Sequence, residues 1–164
     1  MTMSGNPAPS AQVDLLSIAY TSDTPMTSPP IPDVLRDIAP IDTTGAVTRS
    51  FVLSENMMDF MINGQIYDPN RVDVHAKLGA TEVWTVRNDA DMDHPFHLHG
   101  FRFQVLGRSD GAVPVVAWDD TVNVKSHAWV RLAVTLADYP GMWMYHCHIL
   151  EHEDLGMMGT LDVE

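Results

Sequence analysis

The chain has 164 residues and a mass of 18.2 kDa, with 45% hydrophobic and 19% charged side chains, which leaves room for one ordinary domain and an appendage but not for two full domains. Nine Lys and Arg against 22 Asp and Glu give a net charge of −13, a field that repels phosphate backbones, excludes nucleic acid as a partner and favours cations. No apolar run is long enough to cross a bilayer, so the reading is a soluble chain without a membrane partner, and a single cysteine, Cys147, forbids an internal disulfide framework.

Residues 1–46 hold seven of the eleven prolines together with many Ser, Thr and Gly, and read as a linker. Within it, the apolar run 13–20 suits a strand whose partner lies elsewhere, and residues 1–20 lack the basic start and apolar centre of a secretion signal. From Val47 onward the pattern changes to short runs of β type. Strands are expected over 47–53, 60–66, 72–78, 81–87, 101–106, 113–118, 121–124, 129–136, 141–147 and 158–163. No stretch sustains a 3.6-residue apolar period over helical length. Alternation is clearest where Val130, Leu132, Val134 and Leu136 take one face. Turn chemistry at Asn63-Gly64, Asp68-Pro69-Asn70, Leu78-Gly79, Asp110-Gly111 and Tyr139-Pro140-Gly141 separates the runs. The fold class is therefore all-β: a Greek-key β-sandwich over 47–164 preceded by a Pro-rich, mostly irregular extension over 1–46.

Six of the eight histidines fall in the windows 94–99 and 146–152. The first reads His94-Pro95-Phe96-His97-Leu98-His99-Gly100 and the second His146-Cys147-His148-Ile149-Leu150-Glu151-His152, followed by Met157 and Met158. On an extended strand neighbouring side chains alternate between faces, so His146 and His148 point one way and Cys147 the other. His97 and His99 likewise share a face, while Pro95 lets His94 depart from that pair. Two donor sets follow: Cys147 with His94, His152 and a thioether, and an all-imidazole set of His97, His99, His146 and His148. One thiolate, two imidazoles and a weak thioether form the ligand set of a blue copper site, and the nitrogen-only set also suits copper. Because Cys147 is flanked on both sides by donors of the second set, the sites lie on the order of 10 Å apart.

The patterns His94-x-x-His97-x-His99 and His146-Cys147-His148-x-x-x-His152-x-x-x-x-Met157 resemble the carboxy-terminal domain of a three-domain multicopper oxidase, most similar to bacterial laccases. The resemblance covers residues 47–164, with 1–46 similar only to the tail of a preceding domain and its linker. It implies a cupredoxin fold, one-electron oxidation of a substrate at a blue (type 1) copper, and reduction of dioxygen to water at a trinuclear cluster. By motif, His94, Cys147, His152 and Met157 would hold the type 1 copper; His97 would serve the type 2 copper; and His99, His146 and His148 the type 3 pair. His152 would also receive the substrate's electron, and Glu153 occupies a position from which an acid could supply protons to oxygen.

One departure from the family pattern carries weight. The other four histidines of the family's cluster come in His-x-His pairs from an amino-terminal domain, and this sequence has no such further pair. The type 1 site would be whole and the type 2 and type 3 sites partial, finished by N-terminal cupredoxin domains or a partner subunit. Substrates implied are phenols, aromatic amines or low-valent metal ions, with dioxygen as acceptor and an extracytoplasmic parent enzyme. The competing readings are a stand-alone blue-copper electron carrier, which leaves four histidines without purpose, and a zinc-binding structural domain. The remaining side chains take plainer roles. His75 and His127 read as surface residues, Asp119 and Asp120 as a solvated loop, and Met57, Met58, Met61, Met142 and Met144 as packing.

Overall fold

The computed structural model describes residues 16–19, 28–32, 35–112 and 114–164. Contacts divide the chain into the units Met1–Leu35 and Arg36–Glu164. In the first, residues 16–19 and 28–32 carry no regular secondary structure, and the rest of the expected 13–20 strand lies outside the described residues. The second holds every element of regular structure among the described residues.

Those elements are β1 (Val47–Asn56), β2 (Asp59–Ile62), β3 (Val74–Ala76), β4 (Thr81–Asn88), β5 (His94–Leu98), β6 (Phe103–Arg108), β7 (Thr121–Val124), β8 (Trp129–Thr135), β9 (Gly141–Cys147), α1 (Leu150–Asp154) and β10 (Met158–Val163). They form two five-stranded mixed sheets, ordered β2-β1-β4-β8-β6 and β3-β10-β9-β5-β7. The chain is all-β, as expected. The sandwich closes on Phe51, Leu53, Trp84, Val86, Leu132 and Val134 from the first sheet and Phe96, Leu98, Tyr145, Leu161 and Val163 from the second, apolar surface whose removal from water drives the fold. Val130, Leu132, Val134 and Leu136 are all buried on the face that their alternation predicts.

Several expected elements differ. The 60–66 strand stops at Ile62 because Asn63 and Gly64 both take positive φ, 55° and 71°, and turn the chain. The 72–78 strand shortens to three residues, and the 101–106 strand is displaced to Phe103–Arg108. No strand forms over 114–118: Pro114 cannot donate to a ladder, and Val115 and Val116 stay exposed, so the apolar run has no core to enter. Residue 113 lies outside the described residues. β5 and α1 were not among the expected elements. Pro95 masks the first, whose neighbours β7 and β9 pair with it on both sides, and the second is a single turn, too short to show a helical period.

Candidate metal centre

The site is built where β5 and β9 run antiparallel. Their register sets Phe96 opposite Cys147 and His97 opposite His146. Residues opposite one another in a ladder share a face, so Cys147 lies on the core side with Phe96, while His97 and His146 lie on the other. The alternation argument from sequence therefore holds in the folded chain.

On the core side, His94, Cys147 and His152 bring one donor atom each to within 4.8 Å of one another, and all three residues are buried. His94 stands at the start of β5. His152 comes from α1, a turn opened by the Ile149 carbonyl, which accepts the N–H groups of His152 and Glu153 at 3.0 Å. The turn folds His152 back until its Nδ1 lies 3.6 Å from Cys147 Sγ. The chain then returns through Gly156, whose φ of +104° disfavours a side chain and where a Cβ would come within 2.5 Å of the Ile66 methyl group. Met157 follows, fully buried. Its N–H donates to the His152 carbonyl at 2.9 Å, and its carbonyl accepts the Cys147 N–H at 3.0 Å. Backbone bonds thus tie Met157 to two of the three donors, whereas Met158 sits in β10 opposite His146.

On the other face, His97, His99 and His146 likewise place one donor atom each within 4.8 Å of one another. His146 Nδ1 donates to the Cys147 carbonyl at 2.9 Å and lies 3.3 Å from Glu153 Oε2. Both partners are acceptors, so Nδ1 carries the proton and Nε2 is left with its lone pair, 2.8 Å from His99 Nε2. His97 follows the same logic: Nδ1 donates to the Asp120 carbonyl at 3.0 Å and lies 2.8 Å from the Thr121 hydroxyl, which itself donates to Asp120 Oδ1 at 2.9 Å. Such partners fix the ring and tautomer of a metal-binding imidazole. His148 stands slightly apart, its ring 5.1 Å from that of His97 and 5.7 Å from that of His146. An open cleft lined by His97, His99, Gly100, Phe101, Arg102 and Asp120 exposes this side.

The electrostatics suit a cation in both places. Burial pushes the Cys147 thiol up to about 11, so a thiolate at neutral pH needs a positive charge beside it. Burial also pushes His94, His97, His99 and His152 below the ordinary histidine range, and the first three are lowered further by neighbouring imidazoles. Their neutral, ligating form is the favoured one. His94 Nε2 is the one buried side-chain nitrogen or oxygen without a hydrogen-bond partner among the described residues. A soft sulfur and two neutral imidazoles, one of which carries the unpaired buried nitrogen, fit a copper ion; magnesium and calcium prefer oxygen donors, and His94, Cys147 and His152 supply none.

Sequence reasoning overlooked three supporting residues, Asn88, Thr121 and Phe60, and gave a fourth, Asp120, too plain a role. Asn88, fully buried, places Oδ1 3.2 Å from His94 Nδ1. Asp120 and Thr121 orient His97, Asp120 largely through its backbone, so Asp120 does more than solvate a loop. Phe60 stacks on His152. None carries a spacing signal, although Asn88, a polar residue ending an alternating apolar strand, is an anomaly that pattern analysis can flag. The methionines divide: Met57, Met58 and Met142 are exposed rather than packed, Met57 at 93%. His75 and His127 are surface residues as expected, 62% and 64% exposed.

Comparison with known proteins identifies the family. The family model described as multicopper oxidase matches residues 39–164. A multicopper oxidase of Staphylococcus aureus is 38% identical over 129 residues, covering 74% of this chain and 28% of that protein. A laccase of Haloferax volcanii is 37% identical over 132 residues, 75% of this chain and 23% of its own length. The crystal structure of a multicopper oxidase from the hyperthermophile Aquifex aeolicus superposes with a TM-score of 0.74 at 36% identity, covering 79% of this chain and 32% of that one. The chain thus spans about a quarter to a third of the length of these relatives. Its fold is that of their cupredoxin-like domains, and the chain belongs to the multicopper oxidase family.

Proposed function

We propose that residues 47–164 are the cupredoxin domain of a laccase-like multicopper oxidase, with 1–46 as the linker and tail of a preceding domain. In this reading His94, Cys147, His152 and Met157 hold the type 1 copper, His97 serves the type 2 copper, and His99, His146 and His148 serve the type 3 pair. The observation that carries it is the register of β5 against β9, which sets a sulfur-containing donor set and an imidazole set on opposite faces of the same two strands. Copper, when bound, supplies one-electron oxidation at the first set and reduction of dioxygen to water at the second.

The chain's own residues then have definite tasks. His152, 5% exposed, presents the part of the first set through which a reductant's electron enters. Cys147 joins the two sets twice, by the peptide bond to His146 and by the hydrogen bond from His146 Nδ1 to its own carbonyl at 2.9 Å. Glu153, partly exposed and 3.3 Å from His146 Nδ1, can take protons from water and hold them beside the imidazole set. The open cleft at His97 and His99 is where histidines of another domain or chain complete the cluster. Substrates of this reading are phenols, aromatic amines or low-valent metal ions, and the parent enzyme is extracytoplasmic.

Copper stoichiometry and oxygen uptake test it. The chain is expected to bind copper with an intense thiolate absorption, and to consume oxygen only together with the amino-terminal part of such an enzyme. Uptake of one copper and no more, with no oxygen consumption after mixing, makes the chain a stand-alone electron carrier. Binding of zinc in preference, without visible absorption, makes it a structural domain.

A further inference from the structure

Phe60 belongs to neither donor set, yet its ring lies flat on that of His152, with centroids 4.1 Å apart and planes 20° from parallel. It comes from β2, the edge strand of the first sheet, whereas His152 comes from the turn after β9 of the second. The residue directly opposite Phe60 across the β1–β2 hairpin is Glu55. Glu55 Oε2 lies 3.9 Å from His94 Nε2, the buried nitrogen that lacks a hydrogen-bond partner. One cross-strand pair therefore addresses both imidazoles of the sulfur site, the aromatic face meeting one and the carboxylate the other, and the two imidazole rings are themselves 5.0 Å apart.

The hairpin's turn has a consistent cost. Its two turn residues are Met57 and Met58, and Met57 takes φ of +57°, a conformation that side chains other than Gly, Asn and Asp rarely adopt. A longer, unstrained loop would let β2 slide. The two-residue turn fixes the register, and a slip of β2 by one residue would turn Phe60 away from His152 and unpair it from Glu55, which β1 keeps in place.

We infer that the β1–β2 hairpin is a clamp on the sulfur site, in which Phe60 is a positioning residue that holds the plane of His152 and keeps water from its face, and Glu55 sets the local charge at His94 and His152. The inference rests on the copper reading of that site. The two residues act with opposite sign. Water at the site favours the more highly charged cupric state, so Phe60 raises the reduction potential by excluding it; an anion favours the cupric state too, so Glu55 lowers the potential.

The test uses the full 164-residue chain loaded with copper(II), as wild type, Phe60→Ala, Phe60→Trp and Glu55→Gln, with the potential read by redox-mediator titration and copper release by a chelator. Phe60→Ala is expected to lower the potential and speed copper release on the order of tenfold; Phe60→Trp restores both, and Glu55→Gln moves the potential upward. Wild-type potential and release rate in both Phe60→Ala and Glu55→Gln overturn the clamp. So does a downward shift in Glu55→Gln. Near-ultraviolet circular dichroism of the metal-free proteins checks folding. If Phe60→Ala does not fold, Phe60→Leu replaces it, keeping bulk without a ring, with the same downward shift expected, and Glu55→Gln decides independently. A wild-type protein without thiolate–copper absorption is a different failure, since it removes the copper reading itself.

Discussion

The two donor sets share a pair of strands and differ in almost everything else. The sulfur set is dry: His94, Cys147 and His152 are buried, Phe60 stacks on His152, and the buried Met157 is tied to His152 and Cys147 by backbone hydrogen bonds. The imidazole set is half open: His97 and His99 line a cleft, His148 is exposed and only His146 is buried. The closed set takes all three of its grouped donors from this chain and buries them, leaving His94 Nε2 without a hydrogen-bond partner. In the proposed reading the open set, beside its cleft, is the one that donors of another domain or chain complete. The contrast arises from one structural fact, the alternation of faces along β9, which sends Cys147 into the sandwich and His146 out of it.

The strongest way to break this contrast is to remove the sulfur. Cys147→Ser is expected to abolish the thiolate–copper absorption altogether and to lower the copper content of the closed site to background, while the imidazole set keeps its affinity; titration followed by absorption and metal analysis checks this. Replacing His97 with Ala attacks the other side. It is expected to weaken copper binding at the imidazole set by more than the roughly 10- to 100-fold that loss of an outer-shell partner costs, and to leave the visible absorption intact. Loss of colour in that variant would mean that the two sets are not independent. Met157→Leu is subtler: the colour persists and the potential rises as axial donation is lost, with a stability change below about 1.5 kcal/mol for a near-isosteric core exchange, read by mediator titration and denaturant unfolding. An unchanged potential there transfers the axial role to Met158.

The smallest effect is expected away from both sets. Arg108 holds the Asp110 carboxyl down at about 2, helped by the Ala112 N–H. A depressed carboxylate contributes stability that is present above its unfolded value of 3.8 and is lost as pH falls through about 2. Asp110→Asn should therefore flatten the stability profile between about pH 4 and 2, with no change in either metal site. Acid titration of the unfolding midpoint reads the first, and visible absorption at neutral pH the second.

Much of the site was legible without coordinates because its information is local. Metal-donor types one and two residues apart define which side chains oppose and which share a face when the backbone is extended, and the ladder of β5 and β9 obeys that rule. The fold class was legible for the same reason, since alternation along β4 and β8 depends only on each strand having one face on a core. Where local signals were misleading, tertiary context decided. The run 113–118 carries β-forming residues, yet Val115 and Val116 are exposed because no sheet edge receives them. The strand His94–Leu98 was obscured by Pro95, yet it pairs with β7 and β9, and the Pro95 carbonyl still accepts the His148 N–H at 2.7 Å.

The sequence by itself determined the donor sets, their separation onto two faces and the all-β class, because these follow from side-chain chemistry and from the two-residue period of a strand. Only the tertiary structure decided what surrounds the donors. Glu55 and Phe60 reach His94 and His152 across a gap between two sheets, Asn88 meets His94 across a loop, and the carbonyl of Asp120 aims His97. Contacts between segments remote along the chain leave no spacing in the sequence, and they exist only once burial of the shared core has fixed where each strand lies.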